Sequence, residues 1–104
     1  MSEKKILIEQ SRRDRANELI QIMRSIGNID ATTQSRERVY VVARAMIAKV
    51  LIAEGCTTIE VGAMLGRNHA TISHYKDLLD NFLTSPGYNA ERELWTKFTN
   101  QINY

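Results

Sequence analysis

Apolar residues recur at three- and four-residue steps along most of the chain, which is the spacing of amphipathic helices. β-Branched residues rarely alternate with polar ones, and proline occurs once, at Pro86. We therefore predict an all-α fold, a compact single domain over residues 1–104 with about five helices. Within it, residues 1–34 form an N-terminal helical segment, residues 35–84 the core of the domain and residues 85–104 a C-terminal helix.

The first two helices are predicted over Glu9 to Ile26 and from after Ser35 to about Glu54. Gly27 and Gly55 are placed to end them, and Ser35 is a suitable N-cap for the second. Their apolar stripes consist of Ala16, Leu19, Ile20, Met23 and Ile26 in the first helix, and of Val39, Val42, Ala43, Met46, Ile47, Val50 and Leu51 in the second. The stretch from Ile6 to Ile8 either extends the first helix or packs as an arm, and the pattern leaves both open.

Three further helices follow. Thr57 and Glu60 have the spacing of a capping box, which begins a short third helix that ends at Gly66. Asn68 is predicted to cap a fourth helix, from His69 to about Leu83, before the turn Ser85-Pro86-Gly87. A fifth runs from about Ala90 to Ile102. Its stripe is interpreted as core, with a partner-binding surface or a base-stacking platform as alternatives, and consists of Leu94, Trp95, Phe98 and Ile102.

The third and fourth helices together predict a helix-turn-helix between about residues 57 and 83. Gly62 allows close approach to the third helix, and Gly66 can take the positive φ that ends a helix. Leu65 and Ile72 are expected to be buried on either side of the turn. Two short helices would then cross steeply, so that the N-terminal half of the second projects from the surface and can enter a major groove of DNA.

The fourth helix is predicted to have a buried face and a polar outer face. The buried face consists of Ile72, Tyr75, Leu79 and Phe82, and the outer face of His69, Ala70, Ser73, His74 and Lys76. Imidazole and hydroxyl groups hydrogen-bond to base edges or phosphates, and a helix N-terminus offers free amides to a phosphate. The same tri-helical arrangement also occurs in proteins that do not bind DNA, where the second helix contacts protein. Singly, each of these side chains also fits an ordinary solvent-exposed position, and Asn68 fits a simple cap.

Composition changes this picture little. The chain is 43% hydrophobic and 25% charged, as ordinary globular proteins are, with a net charge of only +2. Residues 1–76 hold twelve Lys or Arg against eight Asp or Glu, whereas residues 77–104 hold two against four. The basic part is therefore the candidate binding end, although charge alone also fits solvated helix faces.

Several classes of protein are excluded. Cys56 is the only cysteine, no signal core or membrane-spanning apolar run is found, and we expect a soluble cytoplasmic protein. One thiol with His69 and His74 matches no standard zinc spacing, and no serine, histidine and acid arrangement is discernible. We therefore expect no metal, no cofactor and no enzymatic activity.

From Arg36 to about Leu83 the sequence resembles the C-terminal DNA-binding domain of the bacterial replication initiator DnaA, a helix-turn-helix relative of the Trp repressor. The resemblance rests on Ala43-Arg44, on Glu60-Val61-Gly62 and on Gly66-Arg67-Asn68-His69-Ala70-Thr71-Ile72, with His74 beyond. The last segment is similar to the family signature Gly-Arg-Asp-His-Thr-Thr-Val. The chain has no Gly-x-x-x-x-Gly-Lys-Ser/Thr loop, so the resemblance does not extend to ATP-driven initiation.

The resemblance implies a role for each matching residue. Asn68, His69, Ala70 and Thr71 occupy base-reading positions, and Arg44 corresponds to an arginine that reaches into the minor groove. Phosphate contacts are expected from Arg67 and Lys76, whose long cationic side chains suit them, and from Thr57 and Thr58. Because Asn68 replaces an aspartate and Ala70 a threonine, we expect a base preference different from the family's.

The sequence thus predicts sequence-specific binding of double-stranded DNA, in transcription regulation or in replication-related binding. The alternative is a helical protein-interaction adaptor that does not bind DNA. It would hold a protein partner, or a second copy of the chain, through the N-terminal or the C-terminal helix.

Overall fold

Five helices account for most of residues 7–104, the part of the chain that the structure, a computed structural model, describes. They are α1 (Gln10–Gly27), α2 (Arg38–Ala53), α3 (Thr58–Leu65), α4 (His69–Thr84) and α5 (Asn89–Ile102). No strand occurs within that range. The predicted all-α fold of about five helices is confirmed.

Helix α2 lies at the centre of the molecule and contacts α1, α3 and α4. Its buried residues are Val42, Ala43, Arg44, Ala45, Met46, Ile47, Ala48, Val50 and Leu51. All five helices contribute to one continuous core, for example through Leu19 of α1, Val61 of α3, Leu79 of α4 and Phe98 of α5. The buried stretch of α2 covers more than one face because helices pack on several sides of it.

The end of α1 differs from the prediction. Gly27 is the last helical residue, and Asn28 takes the left-handed conformation, with φ 53° and ψ 38°. Asparagine tolerates this region better than most residues, so it ends the helix where glycine was expected to. Gly27 has a different function: a Cβ there would lie 3.1 Å from side-chain atoms of both Ile29 and Leu94, so its absence lets α5 pack closely.

The start of α2 also differs. Its N-cap is Glu37, whose side chain makes no capping hydrogen bond, and not Ser35. The Ser35 hydroxyl instead accepts a hydrogen bond from the Glu37 N–H at 3.1 Å, which stabilises a turn just before the helix. Val39, predicted on the apolar face, is consequently in the first turn of α2 and 44% exposed.

The connection from α2 to α3 follows the prediction. Gly55 has φ +107°, a conformation that favours glycine, and it ends the helix region. Cys56 is buried in the turn, and its N–H donates to the Leu51 carbonyl at 3.0 Å.

Upstream of α1, neither Leu7 nor Ile8 is helical, and Leu7 is 91% exposed. The helix-extension alternative is therefore wrong for these two residues, whereas Ile6 lies outside the described residues.

Ion pairs connect α1 to the end of α2 and to the first turn of α3. Arg12 contacts Glu60 at 2.6 Å, and Arg15 contacts Glu54 at 2.7 Å. The Glu54 carboxylate raises the pKa of Arg15 above its usual value. Both pairs are partly open to solvent, which weakens them, so they orient α1 more than they stabilise it.

The stripe on α5 is core at its centre and half-buried elsewhere. Phe98 is fully buried, whereas Leu94, Trp95 and Ile102 are half-buried against the core. The Trp95 ring lies 6.3 Å from that of Phe98 and 5.4 Å from that of Tyr104, which is 54% exposed. Across residues 7–104, no helix combines the length and the apolar character needed to span a membrane.

Candidate functional site

The turn between α3 and α4 is held by main-chain atoms. Gly66 is left-handed, with φ 70° and ψ 34°, and its N–H donates to the Gly62 carbonyl. The Arg67 N–H donates to the same carbonyl at 2.8 Å. A Cβ at Gly62 would lie 2.4 Å from the Arg67 carbonyl oxygen, a distance that real Cβ atoms do not reach. The positive φ predicted for Gly66 is confirmed. Gly62 is also closely approached, but by the backbone of the turn and not by a partner helix.

The N-terminus of α3 carries the predicted capping box. The Thr57 hydroxyl accepts from the Glu60 N–H at 3.1 Å, and the Glu60 carboxylate accepts from the Thr57 N–H at 2.9 Å. The hydrogen bond from the Thr57 backbone, with the nearby Arg12 charge, lowers the pKa of Glu60 below its ordinary value. Thr57 is exposed and Thr58 is half-buried.

The N-terminus of α4 carries the second predicted cap. The Asn68 side-chain oxygen accepts from the Thr71 N–H at 2.9 Å. The N–H groups of His69 and Ala70 have no acceptor among residues 7–104, as expected for the first positions of a helix. Two backbone donors therefore remain free at this end of α4.

The division of α4 into a buried and an exposed face is confirmed. Ile72, Tyr75, Leu79 and Phe82 are buried, and Tyr75 is 4% exposed. Five predicted outer residues and the cap are exposed, namely His69, Ala70, Ser73, His74, Lys76 and Asn68. We call these six residues the outer edge of α4. Thr71 is half-buried beside it.

Arg67 lies in the turn immediately before the outer edge and is half-buried. Its guanidinium donates to the Gln34 side-chain oxygen and, at 3.3 Å, to the Gly66 carbonyl. Arg67 therefore connects the turn to the loop that precedes α2.

Arg44 requires a correction. The expectation was that it reaches outward into a minor groove, but it is only 1% exposed. Its Nε donates to the Tyr75 hydroxyl at 3.0 Å, and its two terminal nitrogens donate to the carbonyls of Thr33 at 2.6 Å and Ser35 at 2.7 Å. Arg44 lies in the second turn of α2, which begins at Arg38, and its side chain points inward to the Tyr75 hydroxyl of α4. Arg44 is thus an internal connection between α2, α4 and the preceding loop.

A cavity of about 400 Å³ lies next to Arg44, between the loop before α2 and the first half of α4. We call it the arginine pocket; its polar lining consists of Gln34, Arg36, Arg44, Arg67, Thr71 and Tyr75. Sequence reasoning missed Gln34, Arg36 and Tyr75 as neighbours of the site. One signal was present: Tyr75 was assigned to the core, and a buried tyrosine hydroxyl needs a hydrogen-bond partner.

A second cavity, of about 520 Å³, lies where the end of α1, the start of α2 and α5 meet. Apolar side chains such as Val39, Val42 and Leu94 line it, together with charged residues. One of these charges is paired, because Arg38 contacts Glu91 at 3.4 Å. We call it the α1–α2–α5 groove.

Other chemistry is limited in the part of the chain that the structure describes. It contains no group of three or more His, Cys, Asp or Glu side chains arranged to hold a metal ion. Burial raises the pKa of the Cys56 thiol, which favours the less reactive protonated form. Comparison of the chain with protein-family models, curated proteins and solved structures gives no match.

Proposed function

We propose that the protein binds double-stranded DNA sequence-specifically, with α3, the turn Gly66–Asn68 and α4 acting as a helix-turn-helix. In this proposal the first half of α4 lies in the major groove. The observation that carries it is the outer edge of α4, which is polar and exposed while the opposite face of the same helix is anchored in the core. A rigidly held helix with a free polar edge is what direct reading of bases requires.

The chemistry of the outer edge supports this role. His69, Ser73 and His74 carry groups that hydrogen-bond to base edges, and the Ala70 methyl can contact a thymine methyl. Lys76 suits a phosphate, as do the free N–H groups at the start of α4.

The resemblance to the DNA-binding domain of DnaA supports the same role. Its signature residues read bases, and this sequence has Asn68, His69, Ala70 and Thr71 at the matching positions. Asn68 and Ala70 depart from the family pattern, so the proposal includes a base preference of this chain's own. Transcription regulation and replication-related binding are the processes that such a domain would serve.

The test is fluorescence anisotropy of the full chain with random duplex DNA at low salt, followed by selection of preferred duplexes. On a selected duplex, His69→Ala should weaken binding by roughly ten- to hundredfold, corresponding to loss of a base contact of about 1–3 kcal/mol. Lys76→Ala should weaken binding to all duplexes alike and reduce the salt dependence by about one phosphate contact.

Lys97→Ala is the matched control for Lys76→Ala, because Lys97 is also an exposed lysine on a helix but lies on α5. It should leave DNA affinity unchanged. Absence of binding to any duplex at low salt, or equal effects of the two lysine substitutions, would contradict the proposal.

A second candidate function is the interaction adaptor, which the α1–α2–α5 groove favours because apolar side chains line it at the surface. Val39, 44% exposed, is the residue through which a partner would contact it. Binding through this groove should be lost on Val39→Glu and should persist between roughly 50 and 200 mM salt, whereas phosphate-driven binding weakens steeply. A partner released by salt and retained by Val39→Glu would contradict this function.

A further inference from the structure

The arginine pocket contains three guanidinium groups and no carboxylate. Arg36, Arg44 and Arg67 all line it. Within residues 7–104, no carboxylate oxygen lies within 4.0 Å of any of them, although five other arginines and lysines of that range form ion pairs. The pocket is therefore a site of concentrated positive charge in a protein whose net charge is only +2.

One of the three guanidinium groups, that of Arg44, is buried, with only 1% of the residue exposed. A buried charge is unusual. Its hydrogen bonds go to neutral oxygens, two carbonyls and one hydroxyl, which solvate the guanidinium without neutralising it. Burying a charge without a counter-charge is costly, so an anion next to Arg44 would be attracted strongly. Three of the five N–H groups of a guanidinium are used in these bonds, which leaves two.

Hydroxyl groups add further donors. The Tyr75 hydroxyl accepts from Arg44, so its own proton remains to be donated, and it lines the pocket. The Thr71 hydroxyl lines the pocket as well and makes no hydrogen bond to other residues in 7–104. The pocket thus offers donors of several kinds to an acceptor-only ligand.

We infer that the arginine pocket binds a phosphate group. Phosphate accepts hydrogen bonds from several directions and pairs with the planar fork of arginine, which suits three guanidinium groups around one cavity. The volume of about 400 Å³ is in the lower part of the range for ligand pockets and exceeds what one phosphate fills. The cavity has room for a phosphate carried on a larger group, and two sources are distinguished below, the backbone of DNA and a free phosphorylated molecule.

The position of the pocket links it to the outer edge of α4. Arg67 directly precedes the cap Asn68, and Thr71 lies in the first turn of α4. A backbone phosphate held there would lie beside the residues proposed to read bases and would fix the register of α4 along the duplex. This source of the phosphate rests on the proposed function, whereas a free phosphorylated ligand does not.

The experiment titrates the full-length chain with pyrophosphate in one arm and with duplex DNA in the other. The signals followed are the Nε–H resonances of the arginines in ¹H–¹⁵N NMR spectra, in which the buried Arg44 reports on the pocket. Affinities are measured for Arg36→Gln and Arg67→Gln, since neither side chain is buried and both variants should fold. Arg13→Gln is the matched control, because Arg13 is an exposed arginine of α1 that does not line the pocket. Thermal unfolding of each variant is recorded first.

Two outcomes support the inference. If pyrophosphate shifts the Arg44 and Arg67 signals, and either pocket substitution weakens its binding roughly ten- to hundredfold while Arg13→Gln does not, the source is a free phosphorylated molecule. If only the duplex shifts these signals and each pocket substitution lowers the salt dependence by about one contact, the source is the DNA backbone.

Two outcomes count against it. A duplex that binds with full affinity to Arg36→Gln and Arg67→Gln, without moving the Arg44 signal, rules out the DNA backbone as the source and leaves the proposed function standing. The inference then holds only if pyrophosphate moves the Arg44 and Arg67 signals. Failure of both ligands to move any pocket signal overturns the inference outright, and the anisotropy titration then decides separately whether DNA is bound at all.

Discussion

Helices α2 and α4 are both sixteen residues long and pack against each other, yet they are exposed to very different degrees. Nine residues of α2 are buried, compared with four of α4. Both helices contact several others, but the outer edge of α4 is exposed along its length. The comparison shows that a helix buried on several sides supports a second helix that is anchored by one face and leaves the other exposed.

The largest difference between the two helices should appear on truncation of their side chains. Met46, at the centre of α2, is 0% exposed, and Met46→Ala should destabilise the fold by about 2–5 kcal/mol because a cavity remains. His74→Ala on the outer edge of α4 should change stability by less than about 0.5 kcal/mol. Urea unfolding followed by circular dichroism measures both. Similar losses for the two variants would contradict the division of roles.

Loss of the Arg44 hydrogen bonds, which connect α2 to α4 and to the preceding loop, should have the next largest effect on stability. Arg44→Met keeps an unbranched side chain but removes the guanidinium, which leaves the carbonyls of Thr33 and Ser35 without their donors and should cost about 1–3 kcal/mol. Arg13→Met, at an exposed position of α1, is the control and should be close to neutral. An Arg44→Met variant as stable as the wild type would show that these hydrogen bonds do not hold α2 and its loop together.

The start of α4 separates stability from recognition. Asn68→Ala removes the cap on Thr71 and should cost about 1 kcal/mol, whereas Asn68→Ser keeps a capping oxygen and should cost much less. Both variants lose the amide group, so they should weaken DNA binding alike if Asn68 reads a base. Equal thermal unfolding of the two variants would argue against the capping role.

The smallest expected effect is a change in how the stability of the fold depends on pH. Hydrogen bonds from Thr57 and the Arg12 charge hold the pKa of Glu60 below the ordinary value of 4.5. Because the folded-state pKa is lowered, this contribution to stability is present above pH 4.5 and is lost as the pH falls through the lowered value. Glu60→Gln, which can still form a capping box, should therefore make stability less sensitive to acid in this range.

Glu93→Gln is the control for the acid experiment, because Glu93 is exposed and accepts no hydrogen bond from residues 7–104. It should leave the acid unfolding curve unchanged. An identical curve for Glu60→Gln would indicate that the capping box does not couple to pH.

The elements that the sequence predicted well depend on neighbouring residues. The capping box of Thr57 and Glu60, the Asn68 cap and the left-handed Gly66 each involve groups at most a few positions apart. The two faces of α4 follow from helical periodicity, which is also local. Such features can be predicted from a single sequence because the interacting groups lie in one segment.

The features that the sequence did not predict depend on distant groups. Arg44 is buried because Thr33, Ser35 and Tyr75 supply its acceptors, and Tyr75 is 31 positions away. A charged residue beside an apolar stripe looks solvent-exposed until those acceptors are known. The arginine pocket likewise joins the loop before α2 to the turn before α4, a juxtaposition that only the tertiary structure reveals.

The Gly62 carbonyl accepts two backbone N–H groups from the turn, and the Arg67 carbonyl lies against the place where a side chain would begin. The direction in which α4 leaves the turn is therefore fixed by backbone contacts, and among the exposed residues of the outer edge only Asn68, the cap, also takes part in holding the helix start. The exposed residues that follow the cap could therefore be exchanged one at a time, by evolution or by an engineer, while the scaffold that presents them stays the same.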